Sequence, residues 1–415
     1  MKKAVSLGLA AAMALSLTAC GGGDATTETK APESSAEASG NSSESSEASD
    51  SAAEGADGEV FKIGHIGPLS GSTAVYGMAT QNGAQIAIDE INAAGGINGY
   101  QIAYNSQDDE NDAEKVINAY NTLKDWGMQM LIGTTTSTPC VEVAGQTSVD
   151  NMFQITPSGS AVECAAQPNV FRVCFADPAQ GAASAQYIGG NKIASKVAVI
   201  YDGSSVYSSG IYEQFAAEAG SQGIEVVSAE PFTADSNTDF NTQLQKAKDS
   251  GAELVFLPIY YTEASLILAQ ADAMGFDPIF FGCDGMDGIL QVENFDTSLA
   301  EELMLLTPFA ADATDELTVN FVTQYKERYN EIPNQFAADA YDAVYAIKAA
   351  AEDAGITPDM DAASIGEALA ASMPNISIDA ITGLSGEKTT WTADGEPNKA
   401  PKAVQIKDGV YVSMD

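Results

Sequence analysis

From Val60 onward the chain alternates short β-branched runs with longer helical patterns, and it does so twice. Parallel strands need a crossover between them, and a helix is the usual one, so this alternation predicts parallel β-α units. In the first set, Phe61-Lys62-Ile63-Gly64-His65-Ile66 reads as a strand ending at Gly67-Pro68. A helix with Ala84, Ala87, Ile88 and Ile91 on one face follows. Asn98-Gly99 predicts a tight turn into a strand over 100–104. Asp112 can cap a helix whose apolar face is Val116, Ala119, Tyr120 and Leu123. Met130 to Gly133 and Phe153 to Ile155 complete that set. The second set restarts at Lys196 to Tyr201. Helical patterns over 211–222, 239–250 and 263–274 lead in turn to the strands Glu225-Val226-Val227, Leu254 to Leu257 and Ile279 to Phe281. Two such sets over roughly 350 residues exceed what one core holds. The expectation is a two-lobed α/β protein, with its site between the lobes at the carboxyl ends of the strands.

The sixty residues before the first strand are of another kind. MKKAVSLGLAAAMALSLTAC has a basic start, a short apolar run and small residues before Cys20, the pattern of a signal peptide over 1–19. Its ending resembles the bacterial lipobox, in which the cysteine is acylated. Residues 21–59, rich in Ser, Ala and Glu, contain no aromatic residue and no large aliphatic one. Such a segment cannot offset its ordering entropy by burial and reads as a disordered acidic linker. No later stretch has the length of apolar residues that a spanning helix needs. The expected location is the outer face of the cell membrane, with a globular part held there by lipid.

The formal net charge is -40, and cleavage would remove Lys2 and Lys3 but no acid. Nucleic acid is therefore a poor partner. Of five cysteines, Cys20 leaves Cys140, Cys164, Cys174 and Cys283. Four in an oxidising compartment permit disulfides, and Cys164 with Cys174, flanking an expected loop, is the favoured pair. The spacing does not suit zinc, and the single histidine, His65, lies in an apolar strand where a packed, hydrogen-bonded role is expected. DDENDAE, residues 108–114, lacks the glycine and glutamate of a calcium loop, so its acids read as turn and cap residues. No metal and no cofactor are expected.

The residues just after each strand are the site candidates. GPLSGSTAVYG (67–77), GTTTSTPC (133–140) and TPSGSAVE (156–163) offer glycine and hydroxyls and none has the Gly-Lys-Ser/Thr of a nucleotide loop. Hydroxyls and free N–H groups at helix starts suit a small anion such as a carboxylate, or they only cap the helices. On the second set the strand ends supply Tyr207, Tyr260, Tyr261 and the stretch FGCDGMDG with Asp284 and Asp287. Donors on one side and aromatics with a carboxylate on the other fit a zwitterion.

These stretches, with AIDEINAAGGINGY, FRVCFADPAQG, AADAYDAVYAIKAA and ITGLSG, resemble in this order the branched-chain amino-acid-binding proteins of ABC transporters. The resemblance runs from about Phe61 to the end of the chain. It implies the type I periplasmic-binding-protein fold, in which each lobe is a mainly parallel sheet flanked by helices and three crossings join the lobes. By the same resemblance lobe one comprises about 60–176 and 308–380, and lobe two about 177–307 and 381–415. The protein would be a monomer that closes on a free amino acid and delivers it to a membrane permease, without catalysis. Ser137, Thr138 and Ser160, helped by the backbone at Ser158, would receive the carboxylate, and Asp284 the ammonium. Tyr76, Tyr207, Tyr260 and Phe336 would line the site. Asp287 is expected to be solvated or capping. Branched-chain or other apolar amino acids are the implied cargo. Amides, urea or aromatic acids, and a sensory role, stay open, as does a secreted hydrolase pairing Asp284 with Asp202 or Asp339.

Overall fold

The computed structural model describes residues 59–414. The expected signal peptide, Cys20 and nearly all of the linker lie outside the described residues. Among those described, no helix is long and apolar enough to cross a membrane.

The first sheet holds β1 (Phe61–Gly67), β2 (Ile102–Asp108), β3 (Met130–Gly133), β4 (Phe153–Thr156) and β5 (Val170–Arg172), all parallel in the order β2-β1-β3-β4-β5. The second holds β6 (Lys196–Asp202), β7 (Glu225–Phe232), β8 (Leu254–Leu257), β9 (Ile279–Gly282) and β10 (Met304–Thr307), again parallel. After the small pair β11 (Ser377–Ile378) and β12 (Thr389–Thr390), the antiparallel strands β13 (Lys402–Lys407) and β14 (Val410–Ser413) join the second sheet beside β10. Every residue of β3, β4, β5, β8 and β10 is buried, as expected of parallel strands covered on both faces.

Helices cover the sheets: α1 (Ala74–Ala93), α2 (Lys115–Trp126), α3 (Ser137–Asp150), α4 (Asp177–Gly190), α5 (Val206–Ala219), α6 (Asn241–Asp249), α7 (Tyr261–Ala273), α8 (Glu316–Tyr329), α9 (Gln335–Ala354) and α10 (Ala362–Ser372). The apolar faces expected on α1 and α2 are the buried ones. α9 lies against α1 so closely that a Cβ on Gly83 would stand 1.9 Å from the Ala337 carbonyl oxygen. The strand expected over 100–104 instead begins at Ile102, opposite Phe61. Its first two residues are spent closing the Asn98-Gly99 turn through a bridge between Ile97 and Tyr100.

The chain passes between the sheets three times: after β5, after β10, and before β13. In the third passage Trp391 donates its indole N–H to the Arg172 carbonyl, and Gly395 accepts the Arg172 N–H. Lys399 then pairs with Asp339 of α9 at 2.9 Å, both side chains buried. Loss of either partner would strand a buried charge at a cost of about 3–5 kcal/mol.

Candidate functional site

β3 and β4 end side by side, and their loops form the first wall. Thr134 and Thr135 turn their hydroxyls to the protein, Thr134 toward the Thr136 carbonyl and Thr135 toward Thr80. Ser137, the first residue of α3, accepts the N–H groups of Ser160 and Ala161 on its hydroxyl oxygen at 3.1 Å each, which ties the two loops together. Its own proton therefore stays available to a ligand. Ser158 donates to the Thr135 carbonyl at 2.6 Å. Ser160 is buried with a hydroxyl that has no hydrogen-bond partner, as is Thr136. Thr138, the second residue of α3, is exposed, unlike its buried neighbours Ser137 and Pro139.

The loop is held from behind. Arg172 is fully buried, and its guanidinium donates to the carbonyls of Gly159, Ser160, Ala161 and Val162 at 2.7–3.4 Å. Glu396 caps its Nε at 3.1 Å. These carbonyls turn toward the cation, and the Gly159, Ser160 and Ala161 N–H groups are taken by Thr156 and Ser137, so the Ser137 proton and the Ser160 hydroxyl are what the loop leaves for a ligand.

The second wall is charged. Asp284 follows β9 and is buried. The Tyr207 hydroxyl and the Gly285 N–H both donate to its Oδ1 at 2.7 Å, and its own N–H donates to Gln180 Oε1. Burial pushes its carboxyl up to about 6, against the opposing pull of Tyr207, Gln180 and Gly285. Gly285 must be a glycine here, since a Cβ would lie 2.6 Å from the Tyr207 hydroxyl and 3.0 Å from the Ile259 carbonyl oxygen.

One member of the site went unnoticed in the sequence. Asp177, the first residue of α4, is buried, and neither of its carboxyl oxygens has a hydrogen-bond partner. Burial pushes its carboxyl well above the usual range, and the charge of Asp284 adds to that. The Ser160 hydroxyl lies near enough to favour the ionised form, though not in hydrogen-bond geometry. Asp-Pro in FADPAQG reads as an ordinary helix start, so nothing local marked it.

Aromatic residues join the two walls. The Tyr76 ring packs 4.3 Å from Phe336, 4.8 Å from Tyr261 and 5.4 Å from Tyr260, centre to centre. Tyr260 in turn stacks on Tyr207 at 4.9 Å. The Tyr76 hydroxyl donates to the Gly285 carbonyl and accepts the Tyr261 N–H. Thr262 reaches the Ser72 carbonyl at 2.7 Å. A helix of the first sheet thus touches loops of the second directly, and the lobes are in a closed arrangement.

Other expectations fare differently. Cys140, Cys164, Cys174 and Cys283 are all buried and free, so the expected Cys164–Cys174 link is not made. Cys164 packs with Cys140 and Ala161 instead, because the turn at 162–165 folds back onto α3. Asp287 is not solvated. It is 5% exposed, accepts the Gln335 N–H at the start of α9 at 2.9 Å, and is pushed by burial up to about 7. His65 packs between Ser106 and Thr80, with burial lowering its pKa to about 3. Asp108, Asp109 and Asp112 accept N–H groups of their own loop. Asp202 binds Ser204, and Asp339 is taken by Lys399. Among the described residues no cluster of three or more metal-ligating side chains occurs.

The family model described as periplasmic binding protein matches residues 60–410. A relative from Brucella melitensis, the Leu/Ile/Val-binding protein homolog 3, is 30% identical over 309 residues, 74% of this chain and 82% of that protein. The crystal structure of LivJ from Streptococcus pneumoniae, a branched-chain amino acid transporter substrate-binding protein in complex with isoleucine, has a TM-score of 0.75 and 29% identity, covering 86% of this chain and all of that one. A solute-binding protein from R. palustris in complex with benzoate has a TM-score of 0.76 at 19% identity, covering 86% and 95% of the two chains, and shares the fold. The chain belongs to the periplasmic binding protein family, with the type I α/β fold.

Proposed function

We propose that this protein captures a free α-amino acid with an apolar side chain between its lobes and delivers it to an ABC permease. The observation that carries this reading is the opposition of unlike groups across one closed cleft. Ser137 and the unpartnered Ser160 hydroxyl stand on one wall, and Asp284, braced by Tyr207, on the other. Neutral donors match a carboxylate, and buried carboxylates match an ammonium. Asp177, whose N–H donates to the Ser160 carbonyl and whose carboxyl feels the charge of Asp284, adds acceptors for the same ammonium or for a water bound to it. The Leu/Ile/Val-binding relative and the isoleucine-bound LivJ favour a branched-chain side chain against Tyr76, Tyr260 and Phe336.

Lobe one spans 60–176 and 308–380, and lobe two 177–307 and 381–415, with residues 389–399 acting as a strap against Arg172 and Asp339. The ligand favours closure because it bonds to both lobes. No catalytic step is involved. The protein works as a monomer on the outer face of the membrane, anchored through Cys20.

A second reading is a small aromatic acid, favoured by the crowd of aromatic rings and by the benzoate-bound neighbour. Thermal-shift titration of the full chain with the twenty amino acids and with benzoate tests both. A shift confined to apolar amino acids supports the first reading. Shifts only from acids without an ammonium overturn it.

A further inference from the structure

Asp284 and Asp287 lie three residues apart on one turn but face different spaces. Asp287 Oδ2 accepts the Gln335 N–H; Oδ1 makes no bond of good geometry although the residue is 95% buried, and the Tyr411 hydroxyl is the one donor near enough to favour its ionised form. This carboxylate lines a cavity of about 400 Å³ bounded by the turn after β9, the second crossing, the loop between α8 and α9, and the hairpin of β14. The cavity is distinct from the cleft. None of Ser137, Ser160, Tyr207 or Asp284 lines it.

Its walls are mostly apolar, with Leu290, Ile332 and Val410 among them. Ile332 and Val410 are 50% and 46% exposed and so form the solvent-facing part of the lining. The other charges in the lining, Asp312 and Lys326, are exposed and of opposite sign. Asp287 is thus the one buried carboxylate in the lining, with neutral donors from Gln335 and Tyr411 and no cation beside it among the described residues, and an apolar site with such a group is matched by a cation with an apolar body.

We propose that this cavity is a second ligand site that takes a small amphiphilic ammonium, with Asp287 Oδ1 as its counterion and with occupancy coupled to cleft closure. A physical link to the cleft exists. Gln335 donates its backbone N–H to Asp287 and its side-chain amide to the Asp284 carbonyl at 2.7 Å. A cation that draws on Asp287 therefore acts on the residue that braces the turn bearing Asp284. Because the walls come from elements of both lobes and from a crossing, the cavity changes shape when the lobes move. A ligand that prefers one shape must alter cargo affinity, and cargo must alter its affinity by the same factor.

The test is calorimetric titration of the full chain with n-hexylammonium and with n-hexanol, using wild type and three variants. Wild type should bind the amine at least roughly tenfold more tightly than the alcohol, the worth of a charge-assisted contact. Asp287→Asn and Val410→Arg, the latter crowding the solvent-facing part of the lining, should each weaken the amine roughly tenfold or more, while Asp284→Asn should hold it within about twofold. Val410→Arg is an exposed change, so it keeps the test decisive if Asp287→Asn does not fold. Loss of amine binding in Asp284→Asn with retention in Val410→Arg would place the amine in the cleft and overturn the proposal. Equal binding of amine and alcohol, or none of the amine at about 10 mM, would do the same.

Discussion

The two walls of the cleft solve the same problem by opposite means. On the first, β3 and β4 deliver hydroxyls and N–H groups that mostly satisfy one another, and the Arg172 cation is spent on four carbonyls behind the loop. On the second, a full carboxylate is buried at Asp284 and held by Tyr207 and Gly285. A carboxylate can be solvated by several neutral dipoles at once, as at a helix start, whereas an ammonium has three donors and is best met by a charge. For the proposed zwitterion this difference assigns most of the affinity to the charged wall and orientation to the neutral one.

The largest test removes the charge. Asp284→Asn should weaken amino-acid binding by several kcal/mol, at least roughly a hundredfold, by calorimetry. Near-native affinity in that variant would leave Asp177 as the ammonium partner and reverse the roles of the two acids. On the neutral wall, Ser160→Ala should cost about 1.5–3 kcal/mol, the worth of one hydrogen bond to a charged group. If it costs as much as Asp284→Asn, the contrast between the walls disappears.

pH sharpens the same comparison. Asp284 is raised to about 6 in the protein without cargo, so an ammonium must meet its ionised form. Affinity should be flat above pH 7 and fall about tenfold per unit below 6, as protons compete for the carboxylate. A profile flat down to pH 4.5 would mean that cargo does not engage this acid. The smallest effect is expected for Tyr207→Phe, which removes one brace of Asp284: about 1 kcal/mol of affinity, together with an upward move of the pH midpoint. A change in affinity without movement of the midpoint would make Tyr207 only a packing residue.

Much of this was legible in one dimension. Runs such as Met130 to Gly133 and Leu254 to Leu257 announce buried parallel strands because both of their faces must be apolar. The three residues of β5 were too few to show a period, and β13 and β14 follow a long passage without a helix, so neither the edge of the first sheet nor the antiparallel end of the second could be foreseen. Asp284 stood out through its glycines and its place behind a strand. Asp177 did not, since an acid before proline at a helix start has a sufficient local reason to be there.

What the sequence determined by itself is therefore whatever depends on neighbours along the chain: the repeating β-α units, the two sets, and the loops at the strand ends. The tertiary structure alone decided which of those loops meet. It set Cys164 beside Cys140 rather than Cys174, because the turn after Ser160 folds back onto α3. It buried Asp287 under the start of α9, nearly fifty residues away, and brought Asp177 within reach of the Asp284 charge. Burial and charge pairing are properties of packed surfaces, and no spacing along the chain encodes which surfaces will be packed together.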